Sequence, residues 1–292
     1  MTNKPHRDTI LCEEAEILSH QAEPGNQFIL RVRAPRIAAS AQPGSFVHIT
    51  VHALRPLRRP ISIMRVDAVN GTVDFLYKAV GEGTRLLAQR EVGEQLSLLG
   101  PIGQGFTVHA THPRRLLIGG GVGMPPMIFL AEQLKEGHDK PFVILGSEVP
   151  FPFQSQPSRL MIPGMPEGVI AGIPLLEDWG IPSRLCSLQG YPGCHEGYVT
   201  DLARAWIEAL NDEQRQQVEI FSCGPHPMLE AIAKLAQEFA IPCQVSMEEF
   251  MACGVGGCAG CTIPIKTDSG TAMKRVCVDG PVFEASQVFA SA

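Results

Sequence analysis

The chain has 292 residues, 45% of them hydrophobic, and a formal net charge of −6. That length and apolar content suit two or three domains with their own cores, and without a basic run the acidic balance offers no nucleic-acid footprint. Met1 to Asp8 hold no apolar signal core, and no later segment reaches about 18 apolar residues without a Gly, Pro or charge cluster, so a cytoplasmic protein with no membrane span is expected.

From about residue 8 to 105 the pattern is β. Phe46 to Val51, Ile61 to Val66 and Thr72 to Tyr77 read as strands, and Asn70-Gly71 between the last two predicts a type I′ hairpin. Short strands with frequent turns point to a small barrel. Within it, Arg59-Pro60-Ile61-Ser62 precedes Tyr77-Lys78 and then Gly81-Glu82-Gly83-Thr84. An arginine on a strand can pair with a diphosphate, and a Gly-Thr turn opening a helix offers amides and a hydroxyl to the same anion, which suits a flavin dinucleotide. The bland readings are a solvated basic edge at Arg55, Arg58 and Arg59, and a plain helix start at Gly83-Thr84.

From about 113 to 245 strands alternate with helices. Arg115 to Ile118, Phe142 to Leu145 and Glu219 to Ser222 read as strands; Pro125 to Leu134, Val199 to Leu210 and Met228 to Phe239 read as helices, the last with Met228, Ile232, Leu235 and Phe239 on one face. This alternation predicts a doubly wound parallel sheet. Two glycine turns follow strands and open helices: Gly119, Gly120, Gly121 and Gly123 before Pro125, and Cys223-Gly224-Pro225. Both would line the crevice beyond the strand ends, where helix amides face a pyrophosphate. Met124 occupies the third glycine position of the dinucleotide fingerprint, and a purely structural turn reads the same way. Residues 148 to 183, rich in Pro and Gly, read as a long loop or insertion.

Near the end, Cys253, Cys258, Cys261 and Cys277 are spaced C-x4-C-x2-C-x15-C in a glycine-rich run. The first intervals are those of a plant-type loop around a 2Fe-2S cluster, with a fourth thiolate arriving from farther away. Gly254, Gly256, Gly257 and Gly260 would supply positive φ and close approach of amides to the sulfides. Structural zinc also takes thiolates, but its four-cysteine sites usually show two C-x2-C knuckles, and this run has one. The remaining cysteines, Cys12, Cys186, Cys194, Cys223 and Cys243, default to ordinary thiols, Cys223 being a candidate for a redox role.

In order, Arg-Pro-x-Ser, Gly-x-Gly-Thr, Gly-Gly-Gly-x-Gly-x-Pro-Pro, Cys-Gly-Pro-x-Pro-Met and the cysteine loop with its Cys277-Val278-Asp279-Gly280-Pro281-Val282-Phe283 ending resemble the ferredoxin reductase family. Within it they look like the branch of dihydroorotate dehydrogenase electron transfer subunits. The likeness runs from about residue 8 to 284. It implies a multi-domain α+β chain: an antiparallel β-barrel flavin domain over 1–110, a doubly wound α/β NAD domain over 111–245 and a small 2Fe-2S domain over 246–292.

By the same resemblance, Arg59, Pro60, Ile61 and Ser62, then Leu76, Tyr77 and Lys78, then Gly83 and Thr84 would contact FAD. Gly119, Gly120, Gly121, Gly123 and Pro125, with Gly224 and Pro225, would hold NAD(H), with Cys223 close to the reacting ring, and Cys253, Cys258, Cys261 and Cys277 would bind the cluster. No arginine in Gly146-Ser147-Glu148 awaits a 2′-phosphate, which favours NADH over NADPH. Hydride carriers deliver two electrons and iron-sulfur centres accept one, so a flavin between them is the natural converter. The implied partner is an FMN-containing dihydroorotate dehydrogenase catalytic subunit, in a heterotetramer. Alternatives are a ferredoxin, sulfide dehydrogenase or hydrogenase partner, or a zinc-stabilised binding module without turnover.

Overall fold

In the computed structural model residues 9–52 and 55–289 are described. Strands β1 (Leu11–Glu23), β2 (Gln27–Arg33), β3 (Phe46–Ile49), β4 (Arg59–Asp67), β5 (Thr72–Lys78) and β6 (Gln95–Ile102) close into an antiparallel barrel of order β1-β2-β5-β4-β3-β6, with short helices α1 (Pro35–Ser40) and α2 (Glu82–Leu87) beside it. Period-two alternation separates two faces. Val47, Ile49, Ile61, Ile63, Phe75 and Tyr77 fill the barrel, whereas Met64 and Leu76 point outward into a core shared with Leu117, Met124 and Met127.

The β4–β5 hairpin forms, but not through a type I′ turn. Asp67 pairs with Thr72, leaving Ala68 to Gly71 as the loop, and of Asn70 and Gly71 only Gly71 has positive φ, at 64°. Asp67 Oδ1 accepts the N–H groups of Val69 and Asn70 at 3.0 and 2.9 Å, so a side-chain-closed turn does the work assigned to Asn-Gly.

The α/β layer comprises β7 (Arg114–Gly120), α3 (Met124–Leu134), β8 (Phe142–Gly146), β9 (Gln156–Pro157), β10 (Ala171–Gly172), α4 (Pro174–Asp178), β11 (Ser183–Cys186), α5 (Val199–Glu208), α6 (Asp212–Arg215), β12 (Val218–Cys223), α7 (His226–Glu238) and β13 (Cys243–Ser246). Strands β11-β8-β7-β12-β13 lie in that order and are parallel. The face of α7 that packs inward is Leu229, Ile232, Ala233, Leu235 and Ala236, one step round from the predicted stripe. The Pro/Gly-rich stretch is ordered: β9 and β10 form a small ribbon, and buried Arg184 donates to Leu160 O at 2.8 Å.

The C-terminal part adds the hairpin β14 (Thr262–Thr267) and β15 (Gly270–Arg275), strand β16 (Val282–Glu284) and helix α8 (Ala285–Val288). β16 joins the α/β sheet antiparallel to β13, with Val245 opposite Phe283. Cys261, Ile263, Ile265, Val276, Cys277 and Phe283 accordingly share one apolar core with Leu116, Ile118 and Ile220. The barrel is locked to the α/β layer by α3, whose Phe129 enters the barrel core and whose Glu132 pairs with Arg65 of β4 at 2.6 Å. Among the described residues no helix is long and apolar enough to cross a membrane.

Candidate cofactor site

Arg59 opens β4 and lies across the turn that starts α2. A Cβ at Gly83 would sit 2.2 Å from Arg59 Nε and 2.6 Å from Cζ, so only glycine lets the guanidinium cross there. The structure thus joins the two segments that the sequence separates by more than twenty positions. Arg59 Nη1 donates to Leu57 O at 2.8 Å, which anchors one side of the guanidinium and leaves the rest for an anion. Thr84 is committed differently from expectation: its hydroxyl donates to Gly81 O and accepts from Gly81 N, each at 3.1 Å, so it caps its own helix. Tyr77 also points into the barrel, where its hydroxyl meets His20 Nε2 at 2.8 Å and burial pushes its pKa above the ordinary range. Leu76, Pro60, Ser62 and Met64 lie on the opposite, outward face; Lys78 ends β5 half-buried.

The two glycine turns interlock. Gly119 of β7 pairs with Cys223 of β12, and a Cβ at Gly123 would lie 2.2 Å from Cys223 O and 2.6 Å from Gly224 N. Gly120 and Gly224 both lie under Met228, and Pro125 and Pro225 stand at the starts of α3 and α7. Backbone meeting backbone this closely leaves both helix N-termini beside one crevice at the strand ends. Cys223 is fully buried; desolvation and the nearby Glu248 carboxylate raise its pKa well above that of an ordinary thiol, so it stands there as a neutral S–H. Glu248 keeps contact with solvent although protein crowds around it, and that crowding raises its carboxyl above the usual range.

The cysteines gather in pairs. Cys261 Sγ lies 3.3 Å from Cys277 Sγ, both buried, because Val276 N donates to Cys261 O at 2.9 Å and ties the two segments together. Two thiolates on one tetrahedral metal at about 2.3 Å each would be about 3.8 Å apart, close to this spacing. Cys253 hydrogen-bonds the Cys258 side chain and accepts Cys258 N at 3.4 Å, and Gly260 N donates to Cys258 Sγ at 3.4 Å. Desolvation opposes ionisation of Cys253, but the amides of Cys258, Val255 and Gly257 outweigh it and bring its pKa down to about 7. Among the described residues no group of three or more His, Cys, Asp or Glu converges as a site for one ion. Pairing of sulfurs, with amides aimed at them, is what a two-iron cluster requires. Of the four loop glycines, Gly254 and Gly256 have positive φ, 68° and 79°, and Ala259 takes the third left-handed position at 53°; Gly257 and Gly260 do not.

The cluster loop descends onto the barrel. Gly254 packs over the ring of His48 on β3, a residue paired with Pro60 of β4. His48 carries no warning in the sequence, since a histidine inside an apolar strand reads as core. Its fully buried ring, with burial and Arg58 lowering its pKa to about 4, became visible only in three dimensions.

Residues 248–289 match the family described as the iron-sulfur cluster binding domain of dihydroorotate dehydrogenase B. The chain is 37% identical over 253 residues to the dihydroorotate dehydrogenase B (NAD(+)) electron transfer subunit of Geobacillus kaustophilus, covering 85% of this chain and 86% of that one. It is 31% identical over 277 residues to the subunit of the same description from Desulforamulus reducens, covering 94% and 97%. Among solved structures, an NADH-dependent reduced ferredoxin-NADP oxidoreductase superposes with a TM-score of 0.76 at 24% identity over 94% of this chain and 89% of that one. The ferredoxin reductase of carbazole 1,9a-dioxygenase superposes with a TM-score of 0.61 at 22% identity, covering 80% and 67%.

Proposed function

The chain belongs to the family of dihydroorotate dehydrogenase B electron transfer subunits, and from that premise we propose that it relays electrons between NAD(H) and an FMN-containing catalytic subunit that interconverts dihydroorotate and orotate. Its cofactors are FAD and a 2Fe-2S cluster, which when bound supply the exchange between two-electron and one-electron carriers. The chain's own residues bind and orient. Arg59 neutralises a diphosphate over Gly83, while Pro60, Ile61 and Ser62 with Leu76, Tyr77 and Lys78 form the strand surface and its support. Thr84 fixes the helix start that the diphosphate meets. Gly119, Gly120, Gly121 and Gly123, with Pro125, Gly224 and Pro225, present the nicotinamide side, and the Cys223 thiol stays protonated at the end of β12. Cys253, Cys258, Cys261 and Cys277 would hold the cluster, which would supply one-electron exchange. The expected assembly is a heterotetramer of two such subunits with two catalytic partners, in the cytoplasm.

The observation that carries this reading is the pairing of cysteine sulfurs, 3.3 Å for Cys261 and Cys277, with the neighbouring cysteine loop seated through Gly254 on the barrel strand beside Arg59 and Ser62. The test is anaerobic purification with the neighbouring subunits untagged, then NADH addition followed by electron paramagnetic resonance. A rhombic signal and co-purification of an FMN dehydrogenase are expected. A colourless, zinc-containing protein would overturn the redox reading. Recovery of a ferredoxin or hydrogenase partner instead would keep the relay and move its destination.

A further inference from the structure

Neither ring nitrogen of His48 has a hydrogen-bond partner among the described residues, and the residue is 0% exposed. A neutral imidazole carries one N–H donor and one acceptor, and leaving such a group unpaired in the interior is destabilising. Phe46, whose ring centroid lies 5.9 Å away, and Pro60 and Leu99 on the neighbouring strands surround it, so an apolar side chain would pack here without that cost. The imidazole therefore calls for a partner that the polypeptide does not supply. Arg58 reinforces the position from the backbone side, donating to His48 O at 3.2 Å.

The orientation of the ring is informative. A Cβ placed on Gly254 would lie 2.8 Å from Cε1, 2.9 Å from Nδ1 and 3.1 Å from Nε2. Distances this nearly equal arise when the approach is over the ring face, so the in-plane directions of both nitrogens pass beside the glycine instead of into it. Gly254 follows Cys253, and Pro60 belongs to the Arg59–Ser62 segment. The ring thus lies between the metal-binding loop and the flavin-binding strand.

Resting on the cofactor reading above, we propose that His48 is a positioning residue for electron passage: its imidazole seats the cluster loop on the flavin strand through Gly254 and donates a ring N–H to an acceptor atom of the bound cofactors. The acceptor is electron-rich, either a sulfur of the cluster or a heteroatom of the flavin. Hydrogen bonds to cluster sulfurs help set their potential, so a donor here tunes the relay. Because the ring stays neutral at ordinary pH, it does so without adding charge.

The experiment uses the full chain with its cofactors, as wild type, His48→Phe and His48→Gln, measuring iron and FAD content, the resonance spectrum and the flavin absorption band at fixed NADH to NAD+ ratios. If a sulfur is the acceptor, His48→Phe keeps iron and FAD, shifts the g values and lowers the ratio of reduced to oxidised cluster roughly ten-fold, about 59 mV for a one-electron couple. His48→Gln, which keeps an N–H, recovers most of that loss. If the flavin is the acceptor, its band and its own reduced fraction move while the g values stay. Both signatures unchanged in His48→Phe would overturn the proposal. Should that variant fail to fold, Gly254→Ala, which displaces the ring from the other side, is expected to shift the same signals, and its identity with wild type would overturn the proposal equally. A wild-type protein without any rhombic signal would instead overturn the cofactor reading itself.

Discussion

At Gly83 a hydrogen atom stands where a methyl group would touch a guanidinium, and that choice decides whether Arg59 can reach across the α2 turn. Because the obstructed atoms belong to a flexible side chain and not to backbone, Gly83→Ala is expected to leave the fold intact and push Arg59 aside. The lost charge-assisted hydrogen bonds, about 1.5–3 kcal/mol, correspond to roughly ten- to a hundred-fold weaker FAD binding, measurable as flavin lost on gel filtration with an unchanged circular dichroism spectrum. At Gly123 the obstacle is the Cys223 carbonyl, so the same substitution there would move strands instead of a side chain. Two further candidates are tied to the protein itself: the Thr84 hydroxyl caps its helix and the Tyr77 hydroxyl meets His20.

Strand β12 carries more than the Cys223 turn. Its Glu219 is fully buried, accepts from His109 N at 3.2 Å and Gln244 Nε2 at 3.1 Å, and meets His109 Nδ1 at 2.6 Å. Gln244 of β13 in turn exchanges hydrogen bonds with Thr107, at 3.0 and 2.6 Å. These side chains clasp the connection from barrel to sheet. Removing Glu219 takes the shared acceptor from the donors of His109 and Gln244, at about 1–3 kcal/mol. Glu219→Ala is therefore expected to lower the denaturation free energy by that amount, read from urea unfolding, with flavin affinity per folded molecule unchanged.

Over the whole molecule, the segment bearing the cysteines and the nucleotide sheet share one core, because β16 completes the sheet and Phe283 packs beneath Gly280. A cluster region that hung on a linker would melt separately. Here, denaturant-induced loss of the cluster's visible absorbance and of far-UV circular dichroism is expected to coincide within error under anaerobic conditions, and a separate early loss of colour would show that the two units are energetically independent.

Three of the six barrel strands, the strand-helix alternation, the glycine turns and the cysteine spacing are legible in the residues alone. Each is written in local chemistry: period-two burial, turn residues, and thiolates at intervals that a tight loop enforces. They do not reveal β16 as a sixth strand of the sheet, the side-chain-closed loop after Asp67, or the hydrogen bonds that Tyr77 and Thr84 make to His20 and Gly81. Those follow from which groups meet across long separations, as do Arg59 over Gly83, Cys261 beside Cys277, and His48 beneath Gly254. Pairing over such distances depends on how layers pack and is settled in three dimensions, because no local pattern of residues encodes which distant backbone will lie within van der Waals reach.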